Sequence, residues 1–262
     1  MTSQHAPVLI VGAGLAGLST ALFLGLHGVR AVAVDRHPGT ANQPKARGQM
    51  PPIMEAFRAA GVSEPILAAA PPGRPELTIV ICESVLGIGS RSRGSFGHTT
   101  TVLFAADLAA MLPDTAVLMY YVQNPALPGR SGAFVSTDEP GEYVAGMSAD
   151  PDRTDEQTVE VIRTLVGIPD LDVQVLGSST WEIAHRVADR MSSGRVHLIG
   201  DAVHLMPPTG GQGGNIAMLD GLHLAWRLAA VVKREAGPGL LASHSDEQLP
   251  YGEAVAGWQS LT

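Results

Sequence analysis

The N-terminal part of the chain alternates short, unbroken apolar runs with stretches of helical period. Residues 8–11 (VLIV) and 31–34 (AVAV) have the length and β-branched content of strands, and their continuity is that of strands buried on both faces. Between them Leu15, Leu18, Leu22 and Leu26 recur at helical spacing, which predicts a helix ended by Gly28. Residues 53–60 (IMEAFRAA) predict a second helix stopped by Gly61. A further helical turn at 64–70 is broken by Pro71, Pro72, Gly73 and Pro75, and 77–82 (LTIVIC) predict a strand. In 85–98, Gly87, Gly89, Gly94 and Gly97 alternate with Ser90, Arg91, Ser92 and Arg93. No G-K-[ST] follows, so this stretch reads as a flexible linker rather than a phosphate loop.

From Thr99 the pattern turns β-rich. Residues 99–104, 117–123, 132–137 and 143–147 read as strands, with a short helical piece at 107–112 and a connection at 138–141. Their short links favour antiparallel pairing. Thr154 and Gln157 form a capping box that opens a helix through Val159, Ile162 and Leu165 to Gly167, and 173–176 return as a strand. Residues 196–199 (VHLI) predict a buried strand. After Asn215 a helix carries Ala217, Leu219, Leu222, Ala225 and Leu228 on its buried side. The expected fold is α/β: a first part with a parallel sheet (1–98), an inserted, mostly antiparallel β-sheet (99–176) and a returning part (177–262).

The turn after the first strand carries chemistry. Gly12, Ala13, Gly14 and Gly17 make G-x-G-x-x-G. The first glycine permits a sharp turn, the second lets backbone approach a pyrophosphate, and the third lets helix and strand pack closely. The helix N-terminus presents free N–H groups and a positive dipole end to an anion. Asp35 ends the second strand, about 20 residues on, where a carboxylate meets a ribose hydroxyl. Strand, glycine turn, helix and acid together give a dinucleotide-binding unit of Rossmann type. The polar stretch that follows contains Arg36, Lys45 and Arg47, which suits either cofactor phosphates or a solvated loop.

Composition narrows the partners. A hydrophobic fraction of 45% and a charged fraction of 16% describe a globular chain. A net charge of −8 argues against nucleic acid or an anionic membrane as the general partner. Cys82 is the sole cysteine, so no intrachain disulfide and no cysteine-based metal cluster can form, which fits a reducing cytoplasm. The chain enters its first strand without a visible secretory signal, and its apolar stretches fall short of a membrane span. The nine histidines include no H-x-x-x-H pair, so no metal site is expected.

Residues 200–215 hold a second motif, G-D-A-x-H-x-x-P-P-x-G-G-x-G-x-N, formed by Gly200, Asp201, Ala202, His204, Pro207, Pro208, Gly210, Gly211, Gly213 and Asn215. With the first motif it resembles the class A flavoprotein monooxygenases, the FAD-dependent aromatic hydroxylases, and among them the branch acting on polycyclic aromatic polyketides in antibiotic biosynthesis. The resemblance implies an FAD-binding domain with an inserted substrate domain, FAD as cofactor, NADPH as transient co-substrate, and oxygen as oxidant for an aromatic polyketide. By resemblance Asp35 would bind the adenosine ribose, Arg47 would lie on the pyrophosphate side, and Asp201 would hold ribityl or ribose hydroxyls. Pro207 would lie beside the isoalloxazine. Gly213, Gly214 and Asn215 would bring backbone N–H groups to its pyrimidine edge, where a helix N-terminus stabilises the negative charge of the reduced ring. Met119, Tyr120, Tyr121, Phe134 and Met147 are candidates to line an aromatic pocket, or to pack as ordinary core. His204 is either a proton relay or a structural hydrogen-bond partner. No acid or base is singled out, because the flavin carries the chemistry.

The chain also departs from that family. Glu83, Ser84 and Val85 run almost directly into Leu86-Gly87-Ile88-Gly89, which resembles sequence from beyond a long segment, and no Asp-Gly motif occurs between Asp35 and Thr99. A non-oxidising relative that binds FAD or a polyketide is therefore the alternative to an active hydroxylase.

Overall fold

The computed structural model describes residues 5–40, 48–70, 78–82, 97–112 and 117–259. Contacts divide the chain into two units, Met1–Ala70 with Ala184–Thr262, and Pro71–Ile183.

The first unit opens with β1 (Val8–Val11), α1 (Leu15–Leu26) and β2 (Ala31–Val34), followed by α2 (Pro51–Ala59) and α3 (Ser63–Ala68). β1 and β2 pair in parallel, Val8 with Ala31 through Val11 with Val34. One expectation about burial fails here. Ile10 is buried, but Leu9 and Val11 are 64% and 82% exposed, so β1 is covered on one face only. The parallel sheet holds β1 and β2 alone among the described residues, and no further strand pairs with β1. In α1 the leucine stripe does not form the buried face: Leu15, Leu18 and Leu26 are 42%, 54% and 52% exposed, while Gly17, Ser19, Thr20, Phe23 and Leu24 are buried. The reason is steric. The helix packed on α1 brings Gly221 so close that a Cβ there would lie 2.8 Å from Thr20 Oγ1 and 3.0 Å from the Ala16 carbonyl oxygen. That contact requires the small-residue face of α1.

The second unit is a six-stranded sheet built from β3 (Thr78–Cys82), β4 (His98–Ala105), β5 (Val117–Gln123), β6 (Ser131–Ser136), β7 (Glu142–Ser148) and β8 (Gln174–Glu182), in the order β3-β5-β6-β7-β4-β8. β3 and β5 are parallel and every other pair is antiparallel. Residues 107–112 form a turn rather than a helix. The Met111 and Leu112 N–H groups donate to the Leu108 carbonyl at 3.0 Å, and Leu108 is buried. α4 (Asp155–Val166) begins with the full Thr154–Gln157 capping box and ends at Gly167 in the left-handed region, φ 89°. Its Ile162, Leu165 and Val166 cover one sheet face and enclose Val102, Phe104, Tyr120, Val122, Phe134, Tyr143, Ala145 and Met147. The Phe134 and Tyr143 rings stack at 5.2 Å. Tyr120, Phe134 and Met147 are therefore core. Met119 and Tyr121 point to the opposite face and are half-buried.

The chain then returns to the first unit through β9 (Arg186–Val187), β10 (Ser192–Ser193), β11 (Val196–His197) and β12 (His204–Leu205), and ends its described part with α5 (Gln212–Val232) and α6 (Leu240–Gln259). The buried strand expected over 196–199 shortens to β11, paired antiparallel with β10, and Val196 is 64% exposed. Among the described residues the parallel sheet of this unit holds only β1 and β2, and this segment has no parallel neighbour to extend it. α5 begins three residues before Asn215 and buries Ile216, Ala217, Met218, Leu224, Ala225 and Ala229, together with the polar Asn215, Asp220 and Arg227.

Candidate functional site

The first glycine turn has the geometry its sequence implies. Gly12 adopts φ 105°, and its N–H donates to the Val34 carbonyl at 2.8 Å, tying the turn to β2. Gly17 admits no side chain, since a Cβ would stand 1.9 Å from the Gly12 carbonyl oxygen. At Gly12 and Gly14 a Cβ would meet nothing within 4 Å, so the turn faces open space. The N-cap of α1 is Gly14, with no side-chain cap and no acidic residue in the first turn, leaving its N–H groups and positive end for an anion.

Asp35 reaches this turn across 22 residues. Its Oδ2 accepts from the Ala13 N–H at 2.6 Å and its Oδ1 from the His37 N–H at 2.8 Å. The His37 and then the Ala13 bond hold the carboxyl below its ordinary range, so it is an anion at neutral pH. It is exposed and retains lone pairs for a ligand hydroxyl. Arg36 is exposed with its Nε donating to His37 Nε2 at 3.0 Å, and Arg47 lies outside the described residues.

The second motif forms a tight turn at Gly200–Ala202, then β12, then a turn at Thr209–Gly211 that leads into α5. Gly200, Gly210 and Gly211 have φ of 59°, 75° and 64°. Asp201 is exposed and Pro207 buried. The N-cap of α5, Gly211, has no side-chain cap, and a Cβ there would meet nothing within 4 Å. The backbone of Gly213 and Gly214 thus opens a second uncapped helix N-terminus. Open glycine turns, two uncapped helix ends and two exposed carboxylates fit the diphosphate, ribose and flavin ring of FAD.

Three polar side chains of α5 are buried: motif residue Asn215, and Asp220 and Arg227, which the sequence motifs do not single out. Asn215 is 4% exposed; its Oδ1 accepts from the Met50 N–H at 2.7 Å, and its Nδ2 donates to the carbonyls of Gly48 at 2.8 Å and Gly211 at 3.1 Å. Its side chain thereby anchors the loop just after Arg47. Asp220 Oδ2 accepts from the Gly200 N–H and pairs with His204 Nε2, both at 2.8 Å. Arg227 holds α6 through Glu247 at 2.6 Å and Ser243 at 3.0 Å. The only sequence signal for the last two is a charge inside an apolar helical stretch. Among the described residues no group of three or more His, Cys, Asp or Glu side chains could hold a metal, and no helix is long and apolar enough to cross a membrane.

The FAD binding domain family matches residues 5–93 and 79–259 of the chain. The chain is 31% identical to an aklavinone 12-hydroxylase of Streptomyces peucetius over 357 aligned positions, covering 95% of this chain and 72% of that protein. It is 28% identical to a tetracenomycin A2 monooxygenase-dioxygenase of Streptomyces glaucescens, covering 98% and 67%. Among solved structures it is similar to aklavinone-11 hydroxylase in complex with FAD and aklavinone, with a TM-score of 0.88 and 27% identity over 99% of this chain and 68% of that one.

Proposed function

The chain belongs to the FAD binding domain family, and on that premise we propose that it is an FAD-dependent monooxygenase that hydroxylates a polycyclic aromatic, polyketide-type substrate with NADPH and oxygen. The observation that carries this reading is the pair of uncapped helix N-termini at glycine turns, with exposed Asp35 bonded to the first turn and exposed Asp201 in the same motif as the second. Bound FAD would supply the redox chemistry between NADPH, oxygen and the aromatic ring.

The protein's own groups bind and orient. Gly12, Ala13, Gly14 and the α1 N-terminus take the diphosphate, with Arg36 and Arg47 on the same side. Asp35 takes a ribose hydroxyl, and Asp201 a second set of hydroxyls. The N–H groups of Gly213, Gly214 and Asn215 would hold the pyrimidine side of the flavin, where the helix dipole would stabilise negative charge. Buried Pro207 gives the flanking turn a fixed backbone. In the inserted sheet, the face away from α4 carries Met119, Tyr121 and Trp181, with the Trp181 indole N–H donating to Thr101 Oγ1 at 2.9 Å. This face, half-buried at Met119 and Tyr121 and exposed at Trp181, is the surface for an aromatic substrate. Burial raises the Tyr121 phenol, so it stays protonated and can donate a hydrogen bond to that substrate.

The test is a visible-spectrum titration of the purified chain with FAD. A flavin band that shifts and saturates on binding is expected, followed by NADPH oxidation that accelerates when aklavinone or a related polycycle is added. Saturable FAD binding without stimulated NADPH oxidation would mark a non-oxidising relative, and FAD that stays free in solution would remove the cofactor reading.

A further inference from the structure

Asp220 is a buried carboxylate, 1% exposed, in the middle of an apolar helix. Such a group is stable only with strong partners. Its Oδ2 has two, the Gly200 N–H and His204 Nε2. Those residues bracket the turn that displays Asp201. We propose that Asp220 is a positioning residue that locks the Gly200–His204 turn from behind and thereby fixes Asp201 for cofactor binding. What the turn binds rests on the reading above; the lock itself rests on geometry.

Both ends of the turn are confined. At Gly200 a Cβ would lie 2.9 Å from Ala16 Cβ and 3.3 Å from Ala217 Cβ, so this residue is wedged between α1 and α5. The Val203 N–H closes the turn onto the Gly200 carbonyl at 2.8 Å. At the other end the His204 ring, 2% exposed, abuts Gly252 of α6, where a Cβ would stand 3.2 Å from Cδ2. Among the described residues His204 Nδ1 is buried with no hydrogen-bond partner, so Asp220 sets the ring's polar orientation. An ionised Asp220 requires the proton on Nε2. Without the carboxylate, the buried Gly200 N–H and His204 Nε2 both lose their partner, and the turn is free to shift.

Three variants and two readouts test this. Asp220→Asn, with its carboxamide oxygen at the Oδ2 position, keeps an acceptor for both the Gly200 N–H and a His204 Nε2–H. Asp220→Ala removes both bonds. Asp220→Leu with His204→Phe replaces the pair by apolar groups, an exchange that buried ion pairs tolerate in stability, but it leaves the turn unpinned. Amide hydrogen exchange is followed in the ligand-free protein over 199–205 and over α5, and FAD affinity is followed by flavin fluorescence. The expected result is that Asn preserves both readouts. Ala and the double variant speed exchange in 199–205 and weaken FAD by about tenfold or more, the equivalent of one to two lost charge-assisted bonds, while α5 stays protected. If Ala does not fold, the double variant decides. Unchanged exchange over 199–205 in the double variant overturns the lock, as does a loosened turn with unchanged FAD affinity. If the parent chain binds no FAD, the cofactor reading fails, and the lock stands or falls on exchange alone.

Discussion

The Asn215 carboxamide directs its hydrogen-bonding groups to backbone: Met50 on one side, Gly48 and Gly211 on the other. The motif suggests a backbone role near the flavin for this residue, whereas its side chain joins two segments more than 160 residues apart in sequence. Asn215→Leu keeps the volume and removes every bond. It should cost about 1–3 kcal/mol, read by urea unfolding, and should weaken FAD binding because the segment following Arg47 loses its anchor. An unaltered urea midpoint would mean that the loop is held by something else. Asn215 and Asp220 also show the limit of reading sites from spacing. A motif marks where glycine and carboxylate must stand, but the partners that fix them are chosen by packing between distant segments.

At the scale of elements, local signals are the ones that the sequence carried best. The strand–turn–helix–strand of residues 8–34, the four central strands of the inserted sheet and the α4 capping box all carry their signal within a few residues of sequence, and all form where the pattern puts them. The Thr154 hydroxyl accepts from the Gln157 N–H, and the Gln157 carboxamide accepts from the Thr154 N–H. Thr154→Ala should cost about 1 kcal/mol by thermal or chemical unfolding and leave FAD affinity unchanged, since α4 belongs to the inserted unit. A drop in FAD affinity would show that the two units are energetically coupled. What the pattern misjudged is long-range. The leucines of α1 mark a helix but not which side is buried, and Gly221 of α5 selects the small-residue side. The apolar run at 196–199 predicts a strand, but pairing requires a neighbour that the described sheet does not contain.

For the molecule as a whole, pH acts through a buried histidine. His244 is fully buried in α6, with neither ring nitrogen hydrogen-bonded among the described residues. Burial, aided by Arg227, His197 and His223 and opposed by Asp220, pushes its pKa down from 6.5 to about 4. Between these values the unfolded chain binds a proton that the folded chain refuses. Stability from this group is therefore full above pH 6.5 and lost as pH falls toward about 4. His244→Leu should flatten that part of a pH series of urea midpoints; an unchanged slope would assign the acid sensitivity to other groups. The exposed Leu9, Val11, Leu18 and Val34 mark where the first unit is thinnest. The alignment with the Streptomyces peucetius hydroxylase runs to 357 positions, more than the 262 residues of this chain, so the relative carries internal segments that this chain lacks. A last consequence concerns synthesis. α1 packs on α5, and the whole inserted unit lies between them in sequence. At about 5–20 residues per second, the ribosome makes α5 roughly ten to forty seconds after α1. Through that interval Phe23 and Leu24 have no α5 to cover them, while the inserted sheet can close its own pairings. The nascent chain therefore passes through an order in which its middle matures before its beginning, and its earliest residues are the ones most in need of a chaperone.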